Sequence, residues 1–227
     1  MTTIATNLQR IHARIENACR VAGRHPESVS LLAVSKTFGA DAVAQAHAAG
    51  QTAFGENYIQ EAVEKITALA QLSLQWHCIG PIQSNKSRLV AEHFDWVHTV
   101  DRLKIAQRLS EQRPANLAPL QVCIQVNVDA GLNKSGIAPN NALKLAQAVA
   151  KLPGLRLRGL MCIPEPAPDF IACCAVFTRV RALFDHMNSA GMSLDTLSMG
   201  MSADLEAAIA GGSTMVRVGS AIFGKRS

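Results

Sequence analysis

The chain has 227 residues, of which 48% are hydrophobic, 17% charged and only 4% aromatic, and its formal net charge is +5. Such a length suits one larger domain around a single core, and the hydrophobic fraction excludes global disorder. The positive charges are scattered with no long basic run, and few rings are available for stacking on bases, so a small anion fits the balance better than nucleic acid.

In chain order, Ile4, Leu8, Ile11, Ile15 and Ala18/Cys19 share one face at helical spacing, and Gly23 ends that helix. Eight short apolar runs follow as candidate strands: 30–36 (SLLAVSK), 53–57, 74–80, 96–100, 120–128, 155–163, 194–200 and 214–219. Helical patterns separate them at 40–50, 58–72, 86–93, 102–113, 140–152, 170–190 and 203–210. Strand alternating with helix predicts βα units and a parallel sheet. Eight units in a chain of this length predict an α/β fold, a single (β/α)8 TIM-type barrel over residues 1–227. An open doubly wound sheet is the alternative, weakened because no strand leads into a GxGxxG loop.

Cys19, Cys78, Cys123, Cys162, Cys173 and Cys174 include no CxxC pair, and several lie in apolar runs as small buried hydrophobes. No metal site is expected. The first residues do not read as a signal peptide, and no apolar stretch approaches the length of a membrane helix. A cytoplasmic protein with reduced thiols and no membrane partner is expected.

In such a barrel the active site lies at the C-terminal ends of the strands. Lys36, Glu56-Asn57, His77 with Gly80-Pro81, Asn127 with Lys134, Met161, Ser198 to Ser202, and Arg217 to Ser220 stand there. The last two loops, SMGMS and VGSA, put glycine and serine where backbone N–H groups and hydroxyls can converge on an anion. Taken singly, such loops are ordinary turns and N-caps. Lys36 ends an almost wholly apolar strand. It is either a solvated charge or a desolvated amine able to form a Schiff base. A lysine with a phosphate site suits pyridoxal 5'-phosphate (PLP), and also a sugar-phosphate aldolase. Arg217 points inward on this reading, towards either a polar ligand or a structural carboxylate.

These blocks carry a resemblance. LLAVSKT, FGENYIQE, WHCIGPIQSNK, the KSG of GLNKSG, RGLMCIP and LSMGMSADLEAAIAGGSTMVRVGSAIFG resemble the YggS/PROSC family, the pyridoxal phosphate homeostasis proteins, over nearly the whole chain. The resemblance implies a barrel like the N-terminal domain of alanine racemase, fold type III of the PLP enzymes, without the C-terminal β domain. It implies a Schiff base at Lys36, phosphate contacts from Ser202, Gly219 and Ser220, and Arg217 facing the pyridine nitrogen. Asn57, His77 and Met161 are expected in the same cofactor-binding set. Lys134 matches a lysine of a possible secondary cofactor site, although the loop DAGLNKSG lacks the acidic residue common in bacterial members.

The function implied is PLP binding and intracellular vitamin B6 homeostasis without catalysis. A PLP-dependent racemase is the alternative. Racemisation needs an acid–base group on each face of the α-carbon. Alanine racemase-like enzymes take one of these from a second domain, for which this length leaves no room, and Tyr58 is the only tyrosine. A phosphosugar enzyme would rest on Glu56 and Lys36 as its pair. The expected partners are PLP and apo PLP-dependent enzymes, and the expected state is a monomer.

Overall fold

The computed structural model describes residues 3–129 and 135–224. Lys134 lies outside the described residues. The strands are β1 (Ser30–Val34), β2 (Ala53–Glu56), β3 (Gln75–Cys78), β4 (Trp96–Val100), β5 (Leu120–Gln125), β6 (Leu155–Met161), β7 (Thr196–Ser198) and β8 (Met215–Val218). All neighbours pair in parallel and in chain order, and β8 returns to β1 to close the barrel, with Leu32 opposite Arg217. The expected barrel is therefore the observed fold.

The helices are α1 (Ile4–Val21), α2 (Ala40–Ala48), α3 (Ile59–Ala68), α4 (Ser87–His93), α5 (Leu103–Gln112), α6 (Pro139–Val149), α7 (Phe170–Ser189), α8 (Leu205–Ala210) and α9 (Ser220–Phe223). The Thr3 hydroxyl accepts from Thr6 N–H to cap α1, and Gly23 leaves the helix at φ 66°. Leu8, Ile11, Ile15, Ala18 and Cys19 of α1 are buried, as their spacing predicts. This helix closes the outer ring against α2, α8 and α9. Arg14 pairs with Glu206 at 2.9 Å, and Asn7 Nδ2 donates to the Ile222 carbonyl.

Strand alternation divides the interior in two. Ala33, Phe54, Val97, Val122, Leu160, Leu197 and Val216 join the apolar layer under the helices. Trp96, Cys123 and Met161 form a separate buried cluster. Gly55 belongs to the inner side, since a Cβ there would meet Leu32 and Ile79 side-chain atoms at 3.2 Å. The cysteines are free thiols, and Cys19, Cys78, Cys123 and Cys162 are buried.

Most strands are shorter than their apolar runs. β1 stops at Val34, β3 at Cys78, β5 at Gln125 and β6 at Met161. One more residue at each of these ends, Ser35, Ile79, Val126 and Cys162, still donates its N–H to the neighbouring strand, and the chain then leaves the ladder to form the barrel mouth. Among the described residues, no helix is long and apolar enough to cross a membrane.

Candidate functional site at the barrel mouth

Lys36 lies two residues beyond the end of β1, in phase with Leu32 and Val34. It lines a cavity of about 320 Å³ together with Val34, Phe38, Asn57, Ile79 and Ile163. Met201, Ser202, Ala203, Arg217, Gly219, Ser220 and Gly224 complete the wall. The backbone carrying Lys36 is fastened from outside the barrel. Ser35 Oγ donates to Glu56 Oε1 at 2.6 Å, and Lys65 Nζ donates to the Ser35 carbonyl at 2.9 Å. Thr37, at φ 69°, donates its N–H to Glu61 Oε1 at 2.8 Å. Lys65 also meets Glu56 at 2.8 Å and Glu61 at 2.7 Å. Burial pushes the Glu56 carboxyl up from its ordinary range, and the Lys65 and Ser35 hydrogen bonds oppose that rise.

The loops after β7 and β8 form the opposite wall. Gly200 turns the first of them at φ 96°, and a Cβ there would lie 2.4 Å from Ala208 Cβ, so only glycine fits. Its carbonyl accepts the Arg217 N–H at 2.9 Å, which ties the two loops together. Gly219 leads into the single turn of α9, whose Ile222 and Phe223 N–H groups return to the Gly219 carbonyl. Phe38 stacks on Phe223 with centroids 5.2 Å apart and joins this turn to the Lys36 loop. The Ser202 and Ser220 hydroxyls make no hydrogen bond to other described residues and line the cavity.

Arg217 is 4% exposed and forms the cavity floor. Its Nη1 donates to the Ser198 carbonyl at 2.5 Å and to Ser198 Oγ at 2.8 Å, and its Nη2 donates to the Cys162 carbonyl at 2.9 Å. No ion pair to this guanidinium occurs among the described residues. Of the two readings open from sequence, a carboxylate within ion-pair distance of Arg217 is thus not found among the described residues. Nε–H and one Nη2 hydrogen are left over after the three bonds. Burial lowers the pKa of Arg217, nearby groups that include the Asp204 carboxylate oppose that fall, and the guanidinium, always charged at neutral pH, makes its hydrogen bonds to neutral oxygens.

Lys36, Asn57, Ser202, Arg217, Gly219 and Ser220 therefore come together around one cavity. His77 and Met161 do not line it. Both are fully buried inside the barrel, one strand repeat below Ile79 and Ile163, which reach the cavity in their place. His77 stacks on Trp96 at 5.2 Å and bonds to His98. Glu56 and Lys36 are not a working pair as the phosphosugar reading required. Glu56 faces α3 and pairs with Lys65. Tyr58 is 56% exposed and lines a different recess with Pro81, Gln83 and Lys86. Sequence reasoning missed Lys65, Glu61 and His98. His98 was findable in principle, because WVHTV puts a histidine inward on the strand beside that of His77.

The match to known proteins is extensive. Residues 6–227 fit the model of the alanine racemase N-terminal domain. A Pseudomonas aeruginosa protein named pyridoxal phosphate homeostasis protein is 61% identical, over 100% of this chain and 97% of its own. The chain belongs to the pyridoxal phosphate homeostasis protein family. The Escherichia coli K12 relative of the same name is 54% identical over 100% of this chain and 98% of its own. PipY of Synechococcus elongatus, solved with PLP bound, aligns at TM-score 0.80 and 36% identity, covering 92% of this chain and 99% of PipY. Alanine racemase from Corynebacterium glutamicum shares the fold at TM-score 0.67 and 19% identity, with 96% of this chain matching 59% of the enzyme.

The cavity fits the cofactor named for these relatives. The Asn57 amide oxygen is buried without a hydrogen-bond partner, and two serine hydroxyls are unspent on the wall. Gly219 leaves room beside β1, where a Cβ would come within 3.0 Å of the Val34 carbonyl. A buried orphan acceptor in a cavity that also holds unused hydroxyls is costly unless a polar ligand completes it.

Proposed function

We propose that this chain binds pyridoxal 5'-phosphate through Lys36, holds it reversibly and hands it to apo PLP-dependent enzymes in the cytoplasm, without turnover of its own. The observation that carries this reading is one cavity walled by Lys36, Arg217 and the Ser202 and Ser220 hydroxyls. When bound, the cofactor supplies an aldehyde that links covalently to an amine. Lys36 is the amine at the cavity wall. Ser202, Gly219 and Ser220 hold the phosphate end, where hydroxyls and the unspent N–H groups at the start of α9 converge. Asn57 offers its orphan amide to the ring edge.

Arg217 meets the pyridine nitrogen as a donor. A guanidinium that stays protonated keeps that nitrogen unprotonated and disfavours carbanion chemistry at the ring. Tyr58 turns to another recess, so no second acid–base group from it faces Lys36 across the cavity. Both features favour a carrier over a racemase. On this reading the functional unit is a monomer.

A transfer assay tests the reading. Cofactor-loaded protein is mixed with an apo PLP enzyme, and recovery of enzyme activity is compared with that from free PLP at equal total concentration. Transfer predicts recovery faster than spontaneous release of PLP from the carrier allows. Recovery limited to the release rate would contradict direct hand-over.

A further inference from the structure

The barrel interior holds a connected row of polar side chains beneath the cavity. Arg217 Nη1 lies 2.8 Å from Ser198 Oγ, and that hydroxyl lies 2.8 Å from His98 Nδ1. His98 Nε2 lies 2.9 Å from His77 Nδ1, and His77 Nε2 lies 3.0 Å from Gln75 Oε1. Ser198, His98 and His77 are fully buried, while Gln75 opens β3 at the far end of the barrel. The row thus threads the barrel from cofactor mouth to opposite rim.

Its direction follows from its head. A guanidinium only donates, so Ser198 Oγ accepts there. The hydroxyl has its own hydrogen left, and His98 Nδ1 is the acceptor within reach. His98 must then carry its proton on Nε2 and donate to His77 Nδ1. His77 likewise carries its proton on Nε2 and donates to Gln75. The reverse direction would leave the Ser198 hydrogen buried and unpaired. Burial favours the neutral form of both rings: His77 is pushed down to about 3, and His98 well below its ordinary value. The stack on Trp96, with ring planes 8° apart, holds the His77 ring at its angle.

We propose that Arg217, Ser198, His98, His77 and Gln75 form a one-way hydrogen-bond relay in which both histidines carry their proton on Nε2, and that Ser198 and His98 are positioning residues that hold the Arg217 guanidinium against the cofactor. A carboxylate in their place would hold the arginine but cancel its charge. A relay of neutral groups fixes the guanidinium without an ion pair on it. The functional half of the proposal rests on the reading that Arg217 meets PLP. The tautomer half does not.

The experiment has two arms. In cofactor-free protein labelled with nitrogen-15, long-range proton–nitrogen correlation reads each histidine tautomer at pH 7. Both His77 and His98 are expected as neutral Nε2–H rings. An Nδ1–H or doubly protonated form at either position overturns the relay. In the second arm, PLP affinity and the pH titration of the visible band of bound cofactor are measured for Ser198→Ala and Ser198→Thr. Ser198→Ala is expected to weaken PLP binding about tenfold and to shift the titration, through loss of one charge-assisted bond on Arg217. Ser198→Thr, which keeps the hydroxyl, is expected to restore both. Equal affinity and equal titration in Ser198→Ala overturn the positioning role. A wild-type protein that takes up no PLP would instead refute the cofactor reading, and the first arm would still decide the relay.

Discussion

Lys65 and Glu56 form an ion pair of 2.8 Å on the outer side of the sheet, with side chains 6% and 0% exposed. The same ammonium holds the carbonyl of Ser35, the residue before Lys36. A charge pair that the cofactor would never touch thus fixes the backbone from which Lys36 projects. Removing Lys65 leaves the Glu56 carboxyl buried without an ion-pair partner, whereas removing Glu56 leaves Lys65 paired with Glu61.

Lys65→Met is accordingly expected to destabilise the fold by about 3–5 kcal/mol, the usual cost of leaving a buried charge unpaired, and Glu56→Ala by less, because Glu61 still pairs with Lys65. Glu61 is more exposed, at 33% of its side chain. Glu61→Ala should cost only about 1 kcal/mol, as expected for a partly exposed pair. Urea unfolding of the three variants reads both values. Similar small losses in all three would mean that the pair does not anchor the Lys36 loop.

Stability should fall in acid. His77 and His98 are buried as neutral rings, with His77 pushed down to about 3 and His98 also lowered, chiefly by burial. In the unfolded chain both take a proton near pH 6.5. Between those limits the unfolded state binds more protons, so stability is full above about pH 6.5 and is lost as pH falls towards 3. The expected slope approaches about 1.4 kcal/mol per pH unit for each histidine. Denaturation measured from pH 7.5 to pH 4 gives it directly. A flat profile would show that the rings are solvated or already charged in the fold.

The two glycines of the anion loops should respond differently to alanine. Gly200→Ala meets both a φ of 96° and an Ala208 Cβ at 2.4 Å. A loss of about 1–3 kcal/mol in fold stability is expected from strain and overpacking. Gly219→Ala brings a Cβ to 3.0 Å from the Val34 carbonyl, with an ordinary negative φ. Here a smaller loss of stability is expected, from the Val34 backbone contact without the φ strain, while PLP affinity falls because the wall closes in. Calorimetric melting and a PLP titration on each variant separate the two effects. An undiminished affinity in Gly219→Ala would remove this glycine from the cofactor wall.

No racemase turnover is expected with alanine or serine, and Tyr58→Phe should leave PLP affinity unchanged, because Tyr58 lines another recess. Chiral analysis of product against a boiled control gives the first result. Steady conversion that depends on Tyr58 would overturn the carrier reading.

The order of the barrel was legible in the sequence because each buried strand is a short apolar run between helical patterns. The run lengths misled at the strand ends, where residues leave the ladder to build the mouth. His77 and Met161 sit inside the barrel one layer below the mouth. Their runs continue to Ile79 and Ile163, which face the cavity. Period-two alternation already separates Glu56 from Asn57: if one faces inward, its neighbour faces the helices. The Lys65 pair and the His77–His98 contact depend on register between elements, and no single segment carries that information. Lys36, Arg217 and the two glycine–serine loops were readable because each lies at a strand end and the fold itself brings the ends together.

The central claim is that Lys36 carries the cofactor. Protein loaded with PLP is reduced with borohydride, digested, and mapped by mass spectrometry. A pyridoxyl group on the peptide containing Lys36 is predicted, together with loss of the visible band in Lys36→Ala. A colourless wild-type protein, or label at another lysine with Lys36 unmodified, would contradict the account.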